Sequence, residues 1–205
     1  MINMLIHGLG QDNNSWSLIK KYFNDKNVNV EVPNLYNLNN REMTFLNLCK
    51  SFEDYCNSFN TKINLCGLSL GGLLALEYYK NYPHKVNSLV LIGVPHKIPK
   101  LLFTIQNIIF KFMPKSIFEK ISITKKDFCL LVNSTKSIDI SKCLEDINCK
   151  TLLICGVNDK TNIKSLKFLN RKIKNSKVIL IKNSGHEVNT SNPKELFNKL
   201  YEFWS

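Results

Sequence analysis

The sequence predicts an α/β architecture: a mostly parallel sheet of six strands with helices on both faces. Short apolar, β-branched runs alternate with longer segments of helical period, the pattern of a sheet covered on both sides. The runs Leu89 to Ile92 and Leu152 to Ile154 are continuously apolar, as strands buried on both faces must be. A chain of 205 residues, 44% hydrophobic and 21% charged, suits a single domain spanning residues 1–205 with one core.

Strands are expected near Ile2 to Ile6, Val28 to Val32, Lys62 to Cys66, Ser88 to Ile92, Thr151 to Cys155 and Lys177 to Ile181. The second, Val28-Asn29-Val30-Glu31-Val32, alternates apolar and polar, so it belongs at a sheet margin. Helical spacing recurs in Phe45, Leu48, Phe52, Tyr55, Cys56 and Phe59, in Leu73, Leu76 and Tyr79, and in Ile163, Leu166, Leu169 and Ile173. At Asn192-Pro193-Lys194-Glu195 a final helix begins: Asn caps, Pro suits the first turn, and Glu195 reaches back as a capping-box partner. Between the fourth and fifth strands, about 97–147 is far longer than a crossover needs and opens with an apolar segment, Ile98 to Met113. It reads as a small helical cap inserted over the sheet.

Composition excludes several classes of function. Net charge is +12, from 28 Lys and Arg against 16 Asp and Glu, yet the lysines are scattered without an Arg-rich run or an aromatic-interleaved stripe. No nucleic-acid partner is expected. Seven cysteines without a CxxC pair suggest reduced thiols rather than a disulfide framework or zinc site, so no metal is expected. Met1 to Ile6 lacks the basic start of a signal peptide, and no apolar run reaches the roughly 18 residues of a membrane span. The expectation is a cytoplasmic protein, a monomer or weak homodimer, with no stable membrane insertion.

Gly67-Leu68-Ser69-Leu70-Gly71-Gly72 stands directly after one predicted strand and directly before a predicted helix at Leu73 to Tyr82. In that setting the glycines remove Cβ atoms that would collide in a tight turn, and the serine hydroxyl stands clear at the C-terminal edge of the sheet. Serine is a poor nucleophile until a base takes its proton. The chain has four histidines: His7 ends the first strand, His84 follows Pro83, His96 follows the fourth strand, and His186 lies on a loop after the last. His186 shares Ser69's edge and is the candidate base. His96 could line the pocket and influence substrate choice, although a solvated loop residue is the simpler reading, and it is given no catalytic role. Asp159, just beyond the fifth strand, is the candidate acid, although it could equally cap the helix that follows. The order Ser, Asp, His favours a catalytic triad.

Taken together, His7-Gly8 with Trp16 eight residues on, the GxSxG turn, the Gly156 to Asp159 loop and Gly185-His186 resemble the α/β-hydrolase superfamily over nearly the whole chain. The chain looks like a minimal version, since members usually carry an extra hairpin before the His-Gly strand. The resemblance implies an oxyanion hole built from the backbone N–H groups of Leu9 and Leu70. It implies a serine esterase, carboxylesterase- or lipase-like, that needs no cofactor and acts on a small-molecule acyl ester. Thioesterase and other chemistries use the same residues.

Other readings fit less well. Gly8-Leu9-Gly10 with Glu31 partly matches a dinucleotide fingerprint, but Asn13 occupies the third glycine position. Gly67 and Gly72 have phosphate-loop separation but are followed by Leu73-Leu74. A ligand-binding protein on the same fold is the non-enzymatic alternative. The apolar residues of 98–113 could roof an acyl pocket with Lys100 and Lys111 at its rim, or simply pack on the sheet helices.

Overall fold

The computed structural model describes residues 1–38, 41–97, 114–141 and 144–205. Its six strands are β1 (Ile2–Ile6), β2 (Val30–Glu31), β3 (Ile63–Leu68), β4 (Val86–Ile92), β5 (Lys150–Gly156) and β6 (Ser176–Ile181). They form one sheet in the order β2-β1-β3-β4-β5-β6. Every pairing is parallel, so the sheet is wholly rather than mostly parallel. The marginal position expected for the second strand is the one observed, but its length is two residues. Pro33, which has no N–H to donate, follows soon after.

Period-2 alternation splits the strand side chains between two cores. Met4, Ile6, Leu65, Leu89, Leu91, Leu153 and Cys155 face one side. Their neighbours Leu5, Cys66, Leu68, Val90, Ile92, Leu152 and Ile154 face the other. The first side is covered by α3 (Phe45–Asn57), α4 (Leu70–Asn81), α5 (Lys115–Glu119), α6 (Lys125–Ser134) and α7 (Lys160–Lys172). The second is covered by α1 (Ser17–Asn24) and α9 (Pro193–Trp204), with Trp16 fully buried between them and the sheet. Two short helices, α2 (Leu35–Leu38) and α8 (Val188–Ser191), flank the strand ends.

Local signals fix the helix boundaries. Asn192 caps α9 by accepting the Glu195 N–H at 3.4 Å. Glu195 does reach back, but to the Asn192 side-chain amide at 2.7 Å. The Asn192 backbone N–H, the usual capping-box target, already donates to the Val188 carbonyl. Of the inserted stretch, 98–113 lies outside the described residues, as do the candidate rim residues Lys100 and Lys111. The described part, α5 and α6, buries Phe118, Phe128, Leu131 and Val132 in the core shared with α3 and α4. The Phe45 N–H, at the start of α3, donates to Ser134 Oγ at 2.7 Å.

Because all six strands run the same way, the loops leaving their C-terminal ends gather at one edge of the sheet. There lie residues 7–11 after β1, Ser69 after β3, Gly93 after β4, 157–159 after β5 and 182–187 after β6.

Candidate active site

Ser69 has φ 51° and ψ −109°, left-handed backbone that a residue with a Cβ adopts at a cost of roughly 1–3 kcal/mol. Its own N–H donates to the Ile92 carbonyl at 2.8 Å. Helix α4 starts immediately afterwards, three residues earlier than hydrophobic periodicity suggests, because the glycines are inside it. A Cβ at Gly67 would overlap the Gly71 backbone, and one at Gly71 would lie 2.5 Å from the Ile6 carbonyl oxygen. A Cβ at Gly72 would strike the Val94 side chain. Absent side chains thus let α4 press against β1 and β3, which holds the strained serine half-buried at the edge.

On the opposite flank from β1, His186 Nδ1 lies 2.8 Å from Asp159 Oδ2. A carboxylate oxygen accepts, so Nδ1 carries the proton and Nε2 keeps its lone pair. Asp159 is buried, with its side chain 6% exposed against 42% for the imidazole. It also caps α7, accepting the Asn162 N–H on Oδ1 at 3.2 Å, so one carboxylate both meets the imidazole and caps the helix. The Asn162 amide spans the carboxylate, donating to Oδ1 at 3.0 Å and Oδ2 at 2.8 Å. The two loops are zipped by backbone bonds from Asn158 N–H to the Ser184 carbonyl and from Val157 N–H to the Ile181 carbonyl, each 2.9 Å. The imidazole lies over Gly93, where a Cβ would sit 3.0 Å from its Cε1 and Nδ1. Gly93 directly follows Ile92, whose carbonyl holds the Ser69 N–H.

The loop after β1 closes a turn from Gly8 to Gln11, with Leu9 and Gly10 central and Gly10 at φ 80°. Tyr36 Oη accepts the Gly10 N–H at 3.2 Å. His7 anchors this loop from beneath. Its Nδ1–H donates to the Gly8 carbonyl at 2.9 Å and its Nε2 accepts the Leu35 N–H at 3.0 Å, which fixes the neutral tautomer. Burial holds its pKa down at about 4. The unfolded chain takes up that proton near 6.5, so stability present above 6.5 is lost as pH falls toward 4, by up to roughly 3 kcal/mol. His7→Asn should therefore flatten the fall in urea midpoint between pH 7 and 4.5. An unchanged slope would remove His7 as its source.

A second tie crosses the site. Gln11 and Asn189, both buried, exchange side-chain amide bonds of 3.3 and 3.1 Å. Asn189 Nδ2 also donates to the Ser15 carbonyl at 3.2 Å, which fixes the amide orientation. The loop bearing Leu9 is thereby clasped to α8, two residues beyond His186. Asn189→Ala is expected to cost about 2–3 kcal/mol, and its double-mutant cycle with Gln11→Ala to give a coupling of about 1 kcal/mol or more in urea unfolding. Additive effects would mean no working clasp.

Residues 4–128, more than half of the chain, match the family model described as the alpha/beta hydrolase fold. The chain belongs to the α/β-hydrolase fold family. Solved structures of this fold that superpose on it include a thermophilic esterase from Thermogutta terrifontis (malate bound) at TM-score 0.83 and 18% identity, covering 100% of this chain and 89% of that one. The esterase EaEST from Exiguobacterium antarcticum gives 0.84 at 15% identity, with 99% and 91% coverage. MenH from S. aureus gives 0.81 at 18% identity, with 99% and 92% coverage. No match is found among curated protein sequences.

Within this α/β-hydrolase frame, the sequence did not reveal four contributors to the site: Asn162, Gly93, Tyr36 and the Gln11–Asn189 pair. Only Asn162 left a local trace, three residues after a helix-capping aspartate. His96 is half-buried and lines a cavity, the less simple of its two expected placements. It stacks on Phe168 at 4.6 Å, and its Nδ1 lies 2.9 Å from Ser165 Oγ. Burial raises the thiol pKa values of Cys66 and Cys155, the latter to about 12, which leaves neither as a competing thiolate at this edge. Among the described residues, no three His, Cys, Asp or Glu side chains gather as a metal cluster. None of the described helices is long and apolar enough to cross a membrane.

Proposed function

We propose that the protein is a serine hydrolase that cleaves carboxylic esters through an acyl-enzyme intermediate. The observation that carries this reading is the buried Asp159 carboxylate on His186 Nδ1, beside the strained Ser69 turn. Ser69 Oγ attacks the ester carbonyl carbon while His186 Nε2 takes its proton. The resulting oxyanion is met by the N–H groups of Leu9 and Leu70, each such donor worth roughly 2.7 to 4 kcal/mol of barrier. Collapse breaks the bond to the alkoxy oxygen, which leaves as alcohol with the proton from His186. Water, deprotonated by the same nitrogen, then attacks the acyl carbonyl, and Ser69 departs with the returned proton. Asp159 keeps the imidazole in the required tautomer throughout. The Gly8–Gln11 turn supports the assignment of Leu9, since its own hydrogen bond uses Gly8 O and Gln11 N and leaves the Leu9 N–H out.

The test is turnover of 4-nitrophenyl butyrate together with covalent labelling by a fluorophosphonate. The expected result is both, with the label on Ser69. A purified, folded protein that does neither would overturn the reading.

A further inference from the structure

A cavity of about 410 Å³ opens beside the acid–base pair. Asn162 forms part of its wall and, from its other contacts, touches both Asp159 and His186. Three lysines line it: Lys97 from the loop after β4, and Lys160 and Lys164 one turn apart on α7. Among the described residues, no Asp or Glu lines it. Among the described residues, none of the three lysines forms an ion pair. Of the neighbouring carboxylates, Asp159 is occupied by Asn162 and His186.

His96 and Ser165 also line the cavity. His96 reaches the cavity from its stack on Phe168 with Nδ1 held against the buried Ser165 hydroxyl. Burial and the nearby Lys97 lower its pKa, with Asp139 pulling the other way. Three ammonium groups around a partly enclosed space, with Asp139 the one carboxylate felt at His96, focus a net positive potential there, which favours a substrate carrying negative charge. Lysine presents a point charge without the fork geometry of arginine, so it selects charge more than shape.

We infer that this cavity binds an anionic group on the acyl part of the substrate, so that esters of dicarboxylic half-acids are preferred over neutral esters of equal length. The inference rests on the serine-hydrolase reading and names the substrate class for that site. It is tested by comparing kcat/KM for 4-nitrophenyl hemiglutarate and 4-nitrophenyl valerate, five-carbon acyl groups that differ in a terminal carboxylate. The wild type should prefer the hemiglutarate by about 10-fold or more at low ionic strength, and the preference should shrink at high salt because the lysines are exposed. The combined variant Lys97→Gln, Lys160→Gln, Lys164→Gln should lower the ratio of the two kcat/KM values by about 10-fold. Lys167→Gln, on the same helix but outside the lining, should leave the ratio as it is. Turnover of valerate without preference for hemiglutarate, or a preference that survives the triple variant, overturns this inference and leaves the serine hydrolase standing. Failure to turn over either ester, with no fluorophosphonate label, overturns both.

Discussion

Ser69→Ala is expected to lower kcat for 4-nitrophenyl butyrate by about 10⁴- to 10⁶-fold while leaving a folded protein, the range seen when a triad serine is removed. Ser69→Gly should do the same to activity and also raise stability. The serine occupies φ 51°, where strain costs roughly 1–3 kcal/mol and glycine has none. Against this, glycine gives the unfolded chain more freedom, worth about 0.4–1 kcal/mol. The net gain is about 1 kcal/mol, readable as a higher urea midpoint alongside lost turnover. Opposite movements of stability and activity at one residue are the signature of a turn strained for its chemistry. Turnover retained in Ser69→Ala would remove it as nucleophile, and a Ser69→Gly protein less stable than wild type would remove the strain argument.

Asp159 has two jobs that substitution can separate. Asparagine is as good a helix cap as aspartate, so Asp159→Asn keeps the bond from the Asn162 N–H, and its stability cost of about 1–2 kcal/mol comes from the Asn162 amide losing one of its two acceptors in a buried site. It no longer presents a carboxylate to His186 Nδ1, so the imidazole loses its fixed tautomer and kcat should fall about 10⁴-fold. Asp159→Ala loses the cap as well and should cost about a further 1 kcal/mol in thermal or urea unfolding. Near-normal kcat in Asp159→Asn would reduce this residue to a cap and leave His186 without its orienting group.

What could be read from the sequence is what local pattern encodes. The continuously apolar runs Leu89 to Ile92 and Leu152 to Ile154 marked strands buried on both faces, and both faces of those strands are covered. Ser69 was legible because a strand, a glycine turn and a helix adjoin it in sequence. That Asp159 and His186 come together followed from chain order along a parallel sheet, whose strand ends share an edge; their catalytic roles belong to the proposal. The clasp between Gln11 and Asn189 was not legible, because two amides 178 positions apart leave no periodic trace. Nor was the stacking of His96 on Phe168, a residue on a helix that arrives after another strand, although the place of His96 beside a pocket could be suggested from the strand end before it. Gly93 looked like any glycine at a strand end. Its missing side chain matters only because His186 packs there.

The same clasp has a kinetic consequence. A bond between partners so far apart closes only after nearly the whole loop entropy of the chain has been surrendered, and parallel pairings are themselves non-local. No fragment nucleated around the serine turn can therefore hold the first and last loops in register. On dilution from denaturant, recovery of turnover should trail the recovery of helical ellipticity, because competence is conferred by the last contacts to form.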